Sequence, residues 1–107
     1  MDTSQLLKGI LEGCLLAIIA KGETYGYEMI KNLEHYGLTM VKEGSIYPLL
    51  LRMREEQLVE AKTQPVPSGG PPRKYYSITE KGRQELEQFR QNWTILSQSV
   101  NRLLGSL

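Results

Sequence analysis

The sequence predicts a mainly α-helical fold with a small β-hairpin, namely a winged helix-turn-helix with an additional helix at each end. Three observations predict it. Apolar residues recur every three or four positions in four segments. Two strand-like runs flank a Pro/Gly-rich stretch before the last segment, and that segment has an apolar seam of seven-residue period. A length of 107 residues suits one domain. We expect two parts within it: residues 1–80 form the winged helix-turn-helix with the N-terminal helix, and residues 81–107 form a C-terminal dimerisation helix. Together they are expected to form one compact unit.

The first helix is predicted over residues 4–21, with Ser4 as its N-cap. Its apolar residues occupy nearly the whole circumference, so it must be buried on more than one side. One small domain supplies little cover for such a helix, and a second copy of the chain is therefore expected against it. The predicted dimerisation residues of this segment are Leu7, Leu11 and Cys14.

Two shorter helices are predicted over residues 25–36, with Thr24 as the cap, and over residues 44–57. Pro48 fits the first turn of the latter, because the N–H groups there have no helical partners. The period then changes, and strands are predicted from Leu58 to Gln64 and from Arg73 to Thr79. Together the strands form a hairpin with a long exposed tip.

The last helix is predicted to run from Thr79, its N-cap, to about Leu104. Its seam residues are spaced alternately by three and four positions, which is typical of a coiled-coil interface and requires a second helix against it. The seam consists of Leu86, Phe89, Trp93, Leu96, Val100, Leu103 and Leu107. Five of these are predicted to hold a homodimer together: Phe89, Trp93, Leu96, Val100 and Leu103.

This order of elements is that of a helix-turn-helix with a wing. In such a fold the second helix of the pair enters the major groove of double-stranded DNA. Here that helix begins at Ser45, and the hairpin segment 58–79 carries three cations against one carboxylate, which suits contact with phosphates. The candidate DNA-binding residues are Tyr25, Lys42, Ser45, Tyr47, Arg52, Lys62, Arg73, Lys74 and Tyr75. Tyr76 is a weaker candidate, because it shares the strand parity of the apolar Ile78.

Two runs together resemble the PadR family of bacterial transcriptional regulators: GSIYPLLLRM at residues 44–53 and GGPPRKYYSITEKG at residues 69–82. The run YGYE at 25–28 fits the second helix of that family, and the similarity extends over nearly the whole chain. The resemblance implies a homodimeric winged helix-turn-helix repressor of the short subfamily, with inverted-repeat operators and a dimer interface formed by the first and last helices. One branch of the family binds flat hydrophobic drugs between two tryptophans, at a position that Trp93 matches.

Two alternatives stay open on sequence alone. A winged helix can bind another protein rather than DNA, because a fold does not determine a function, and the net charge of only +1 does not exclude this. Trp93 is favoured as one more packing residue of the seam. If it faces its symmetry mate across a gap, however, it can stack a small hydrophobic or aromatic effector.

The sequence gives no sign of an enzyme. It has one histidine, His35, and no grouping of residues suited to nucleophilic or acid–base catalysis. No metal site or cofactor is predicted, since a metal site needs three or four ligands. The lone Cys14 cannot form an intrachain disulfide. No signal peptide is expected, because the N-terminus has Asp2 and no basic n-region. No membrane span is expected, because the longest apolar run, 14–20, is too short. A cytoplasmic protein is the simplest interpretation.

Overall fold

The computed structural model describes residues 2–107 and has the predicted winged-helix architecture. Its elements, in chain order, are α1 (Thr3–Leu7), α2 (Leu11–Ala20), β1 (Thr24–Tyr25), α3 (Gly26–His35), α4 (Glu43–Glu55), β2 (Val59–Gln64), β3 (Arg73–Ile78) and α5 (Glu80–Gly105). The strands form one antiparallel sheet in the order β1-β3-β2. Among the described residues, no helix is both long enough and apolar enough to cross a membrane.

The prediction of one helix over residues 4–21 is wrong, because the segment breaks into α1 and α2. Residues 8–10 form a turn in which the Ile10 N–H donates to the Leu7 carbonyl oxygen at 2.9 Å. Gly9 lies in this turn, and a glycine weakens a helix interior by about 1 kcal/mol relative to alanine. The break lets α1 leave the axis of α2.

Two predicted helix caps are also wrong. Asp2 rather than Ser4 caps α1, and its carboxylate accepts a hydrogen bond from the Gln5 N–H at 3.0 Å. Thr24 lies in β1, where it pairs with Tyr76 of β3, and does not cap α3. A two-residue strand gives no periodic signal, so only the tertiary pairing reveals it.

The hairpin and the entry to the last helix follow the prediction. β2 and β3 pair from Val59 opposite Ile78 to Gln64 opposite Arg73, which leaves residues 65–72 as the tip of the wing. Thr79 caps α5, because its Oγ accepts a hydrogen bond from the Gly82 N–H at 2.9 Å. The wing therefore leads directly into α5.

The core lies between α2, α3, α4 and the sheet. Its fully buried side chains are Leu15, Leu16, Ile19, Met29, Leu33, Ile46, Leu50, Met53 and Val59. α5 joins this core only through its first half: the Phe89 ring packs over Gly13 of α2 so closely that a Cβ on Gly13 would overlap it. Beyond Phe89, every residue of α5 except Ser97 is exposed.

Candidate nucleic-acid interface

α4 has one buried stripe and a broad exposed surface. Ile46, Leu50 and Met53 are completely buried against the core, so the opposite side of the helix faces outward. Lys42 immediately precedes the helix as its N-cap and is exposed. Ser45 is also exposed, and its N–H donates to the Lys42 carbonyl oxygen at 2.9 Å. The structure thus presents the start of α4, the part that reaches base edges in a helix-turn-helix, to solvent.

Tyr47 lies on the flank of α4 that faces α3. A Cβ on Gly26, the first residue of α3, would lie only 2.6 Å from the Tyr47 hydroxyl oxygen. Only glycine therefore allows the ring to approach the start of α3 this closely. Burial raises the pKa of the Tyr47 phenol, and the nearby Glu43 carboxylate raises it further, so the hydroxyl stays protonated and able to donate.

Arg52 lies on the opposite flank of α4, where it faces α2. Its guanidinium forms a hydrogen-bonded ion pair with the Glu12 carboxylate. This hydrogen bond, together with the carboxylate charge, raises the pKa of Arg52. This candidate DNA-binding side chain is thus held by a partner within its own chain, and it joins the two helices.

The part of the sheet next to the wing tip is organised around two aromatic rings and a cation. The Arg73 guanidinium lies 4.4 Å from the centre of the Tyr25 ring, a cation–π contact. The Tyr25 and Tyr75 rings meet edge to face, with centroids 5.3 Å apart, and the two residues are paired across β1 and β3. Lys62 is opposite Tyr75 on β2 and is exposed, as is Lys74. This arrangement holds Arg73 and places three cations on the neighbouring strands β2 and β3.

The wing, α3 and α4 meet at a single groove. This groove has a volume of about 280 Å³ and is lined by Tyr25, Gly26, Tyr47, Pro72, Arg73, Lys74 and Tyr76. Four of the nine predicted DNA-binding residues therefore line one groove, whereas Arg52 lies apart from it, against α2. Tyr76 is only 6% exposed, as expected for a residue on the same face of the strand as the apolar Ile78.

A second surface is formed by α5 and the N-terminal helix. Trp93, Leu96, Val100 and Leu103, all from the predicted seam, are exposed, Trp93 to 45% and Leu96 to 56%. A cleft of about 520 Å³ runs along the first three of them, with α1 and the α3–α4 loop on its other side. It is lined by Thr3, Leu6, Leu7, Ile10, Leu38, Met40, Trp93, Leu96, Ser97, Val100 and Asn101.

Not all predicted dimerisation residues are available at this surface. Leu7 and Leu11 are buried in the core of their own chain, and Cys14 is half-buried. Leu6, which the sequence analysis did not single out, is 62% exposed and lines the cleft. The break at Gly9 explains the difference, because it turns α1 relative to α2 and thereby exposes Leu6.

The residues that suggest metal or redox chemistry are isolated. In the part of the chain that the structure describes, no three of the His, Cys, Asp and Glu side chains are grouped to hold a metal ion. Burial raises the pKa of the Cys14 thiol, which lowers the fraction of reactive thiolate at neutral pH. His35 meets the neighbouring Tyr36 ring edge to face on the surface.

Comparison with known proteins identifies transcriptional regulators that are similar to this chain. The sequence model of the "Transcriptional regulator PadR-like family" matches residues 15–88. The fold superposes on a PadR-like transcriptional regulator from Bacillus cereus with a TM-score of 0.82, at 54% identity over 94% of this chain and 96% of that one. A PadR-like transcription factor from Bacteroides fragilis gives a TM-score of 0.76, at 36% identity over 94% and 95% of the two chains.

A curated relative is longer than this chain. The transcriptional regulator YqjI of Escherichia coli is 30% identical over 92% of this chain, but the match spans only 46% of YqjI. The shared part contains the winged helix, so the similarity concerns that unit and not the remainder of YqjI.

Proposed function

Because the chain belongs to the PadR-like family of transcriptional regulators, we propose that it is a repressor that binds double-stranded operator DNA as a homodimer. In this proposal α4 enters the major groove and the wing lies along the adjacent backbone. One observation carries it: Tyr25, Tyr47, Arg73 and Lys74 line a single groove beside the exposed start of α4. Hydroxyl and cationic groups are the side-chain groups that bind phosphate oxygens.

The distribution of charge also favours DNA binding. The chain as a whole carries a net charge of only +1, but Lys62, Arg73 and Lys74 lie on neighbouring strands and Lys42 at the start of α4. Neutralising phosphates with such groups releases counterions, so affinity falls steeply as salt rises. The proposed contacts to phosphate are Tyr25, Lys42, Tyr47, Lys62, Arg73, Lys74 and Tyr75, and Ser45 and Arg52, on one flank of α4, are proposed to contact either phosphates or base edges.

The apolar face of α5 supports the homodimer. Its exposed leucines and valine recur at heptad spacing, and a second helix of the same kind covers such a seam. A two-fold axis between two copies places their α4 helices in successive major grooves. The expected operator is therefore an inverted repeat with half-sites about one or two helical turns apart.

Selection from a pool of randomised duplexes tests this proposal. The purified protein is incubated with the pool, and the retained DNA is amplified and sequenced over several rounds. The expected result is an enriched inverted repeat, which lowers transcription when it is placed within a reporter promoter. A sequence pool that does not enrich would contradict DNA recognition, and would favour a winged helix that binds protein only. A reporter that is activated would contradict the repressor role.

A second function, sensing a small hydrophobic or aromatic effector, is favoured by the cleft along Trp93. The cleft is lined mainly by apolar residues, and its volume of about 520 Å³ lies within the usual range of ligand pockets. Trp93 is the only tryptophan, so quenching of its fluorescence reports this site alone. Saturable quenching by a planar aromatic dye is the expected result, and calorimetric titration of Trp93→Ala, which has no tryptophan emission to quench, should show weaker binding of the same dye. Quenching that rises linearly with dye concentration would contradict a binding site.

A further inference from the structure

The stripe of α4 opposite its buried side is formed mainly by small and apolar residues. Gly44, Pro48 and Leu51 are spaced by four and three residues, so they lie on one side of the helix. The buried residues Ile46 and Leu50 occupy the other side. Leu51 is 57% exposed, and a Cβ on Gly44 would meet no atom within 4 Å. The stripe ends at Glu55, in the last turn of the helix.

The long polar side chains of α4 flank this stripe rather than form it. Tyr47 turns towards Gly26 on one flank, and Arg52 is paired with Glu12 on the other. Ser45 lies on the same flank as Arg52, seven residues earlier. When α4 enters a groove along its exposed side, the Pro48 ring and the Leu51 side chain are thus the first groups to meet the bases.

The major groove of DNA presents a single apolar group to such side chains, the C5 methyl of thymine. We infer that Leu51 is a specificity-determining residue, which contacts a thymine methyl with Pro48 beside it. The inference rests on the proposed DNA-binding function and deepens it. Protein is the less suitable occupant, since one leucine and one proline make a far smaller patch than the several hundred Å² typical of protein-binding surfaces.

Replacement of thymine by deoxyuridine tests the inference, because it removes the C5 methyl and nothing else. The probe is the duplex enriched by the selection above, with its thymines replaced one at a time and in both half-sites. For the wild-type protein, one thymine in each half-site is expected to stand out. Loss of its methyl should weaken binding about fourfold per half-site, the effect of exposing one apolar carbon.

Two variants identify the side chain responsible. Leu51→Ala should bind the thymine and deoxyuridine duplexes equally, whereas Leu51→Met, which keeps a long apolar side chain, should retain the preference for thymine. Both variants are expected to fold normally because Leu51 is exposed, and circular dichroism checks this.

The outcomes separate this inference from the function on which it rests. An enriched duplex whose affinity is insensitive to every deoxyuridine substitution would overturn the role of Leu51 and leave DNA recognition intact. The same holds if Leu51→Ala keeps the full thymine preference. Failure of the selection itself would remove the proposed function and this inference together.

Discussion

The exposed face of α5 and the exposed face of α4 differ in size and in chemistry. On α5, apolar side chains follow one another over several turns, from Trp93 to Leu103, without a cation among them on the seam. On α4, two apolar residues lie between polar flanks, next to the cations of the wing. A long apolar seam suits a second copy of the chain, whereas a short apolar stripe among cations suits a polyanion.

The second half of α5 is left largely uncovered by its own chain. The winged-helix body buries its own apolar residues, and nine of its side chains are almost completely inaccessible. α5 contributes its first turns to that body through Phe89 and Leu86. Its second half is exposed, and among the described residues only α1 and the α3–α4 loop lie near it, across the cleft. Dimerisation and folding of the body are therefore expected to respond to different substitutions.

The largest effect is expected from a charge placed in the α5 seam. Leu96→Glu buries an unpaired carboxylate twice in a two-fold dimer, and such burial is strongly unfavourable. The dimer dissociation constant is expected to rise at least about 100-fold, corresponding to roughly 2.7 kcal/mol. Sedimentation equilibrium measures the change.

Gln98→Glu is the matched control, because it adds the same charge to the opposite side of α5. The dimer dissociation constant of this variant should equal that of the wild type. If Leu96→Glu instead leaves the dimer as tight as the wild type, the seam is not an interface and the difference between the two faces disappears.

The next effect concerns the point where α5 is attached to the body. Gly13→Ala places a methyl group against the Phe89 ring, and overpacking of this kind destabilises by about 1–3 kcal/mol. Urea unfolding measures it. Gly44→Ala is the control, since a Cβ there meets open space and alanine is the better helix former by about 0.5–1 kcal/mol.

A second substitution tests whether overlap with the Phe89 ring is what destabilises Gly13→Ala. Combining Gly13→Ala with Phe89→Leu should restore part of the lost stability, because the smaller side chain leaves room for the methyl group. If Gly13→Ala is as stable as the wild type, α5 does not rest on α2 in the way described.

Removal of the wing cations is expected to have a somewhat smaller effect. The double variant Arg73→Ala/Lys74→Ala should weaken binding to specific and scrambled duplexes alike, by at least about tenfold, because phosphate contacts do not depend on sequence. The slope of log K against log salt should fall by about 3 to 4 for a dimer that loses four such contacts. Fluorescence anisotropy gives both quantities, and an unchanged slope would remove the wing from the interface.

The smallest effect is expected at the ion pair between α2 and α4. Both Glu12 and Arg52 are partly exposed, so Glu12→Gln should change the free energy of unfolding by less than about 1 kcal/mol. It should also strengthen binding to scrambled DNA modestly, since it removes a carboxylate and releases Arg52. Glu85→Gln, on α5, serves as the control. Weaker DNA binding in Glu12→Gln would show instead that the ion pair positions α4 for binding.

Much of the fold follows from the sequence because its signals are periodic or local. The helical period of the last segment, the Thr79 cap and the two strands around the Pro/Gly-rich tip each lie within one short window, and the structure agrees with all three. That the heptad seam joins two copies of the chain stays a prediction. The break at Gly9 was missed, because apolar residues continue at helical spacing on both sides of it. β1 was missed as well, since its two residues are ordered only by pairing with β3.

The candidate site is less predictable than the fold, because side-chain partners are distant in the sequence. Arg52 and Glu12 are 40 residues apart, so no local sequence pattern indicates that this arginine forms an ion pair. The contact between Arg73 and Tyr25 likewise depends on the neighbouring strands β1 and β3. The helical period places Leu51 off the buried stripe of α4, and the structure shows it exposed. A leucine has no polar group, however, and nothing in the sequence therefore marks it as a candidate for DNA contact.

In the proposed arrangement α4 and the wing recognise DNA while α5 joins two copies. DNA recognition is measured by an anisotropy titration of the wild-type protein against a labelled selected duplex, at two salt concentrations and with a scrambled competitor. We expect tight binding that the scrambled duplex competes for poorly, with an affinity that falls steeply as salt increases. Absence of binding to any duplex at low salt would contradict DNA recognition, because phosphate contacts alone should then be detectable.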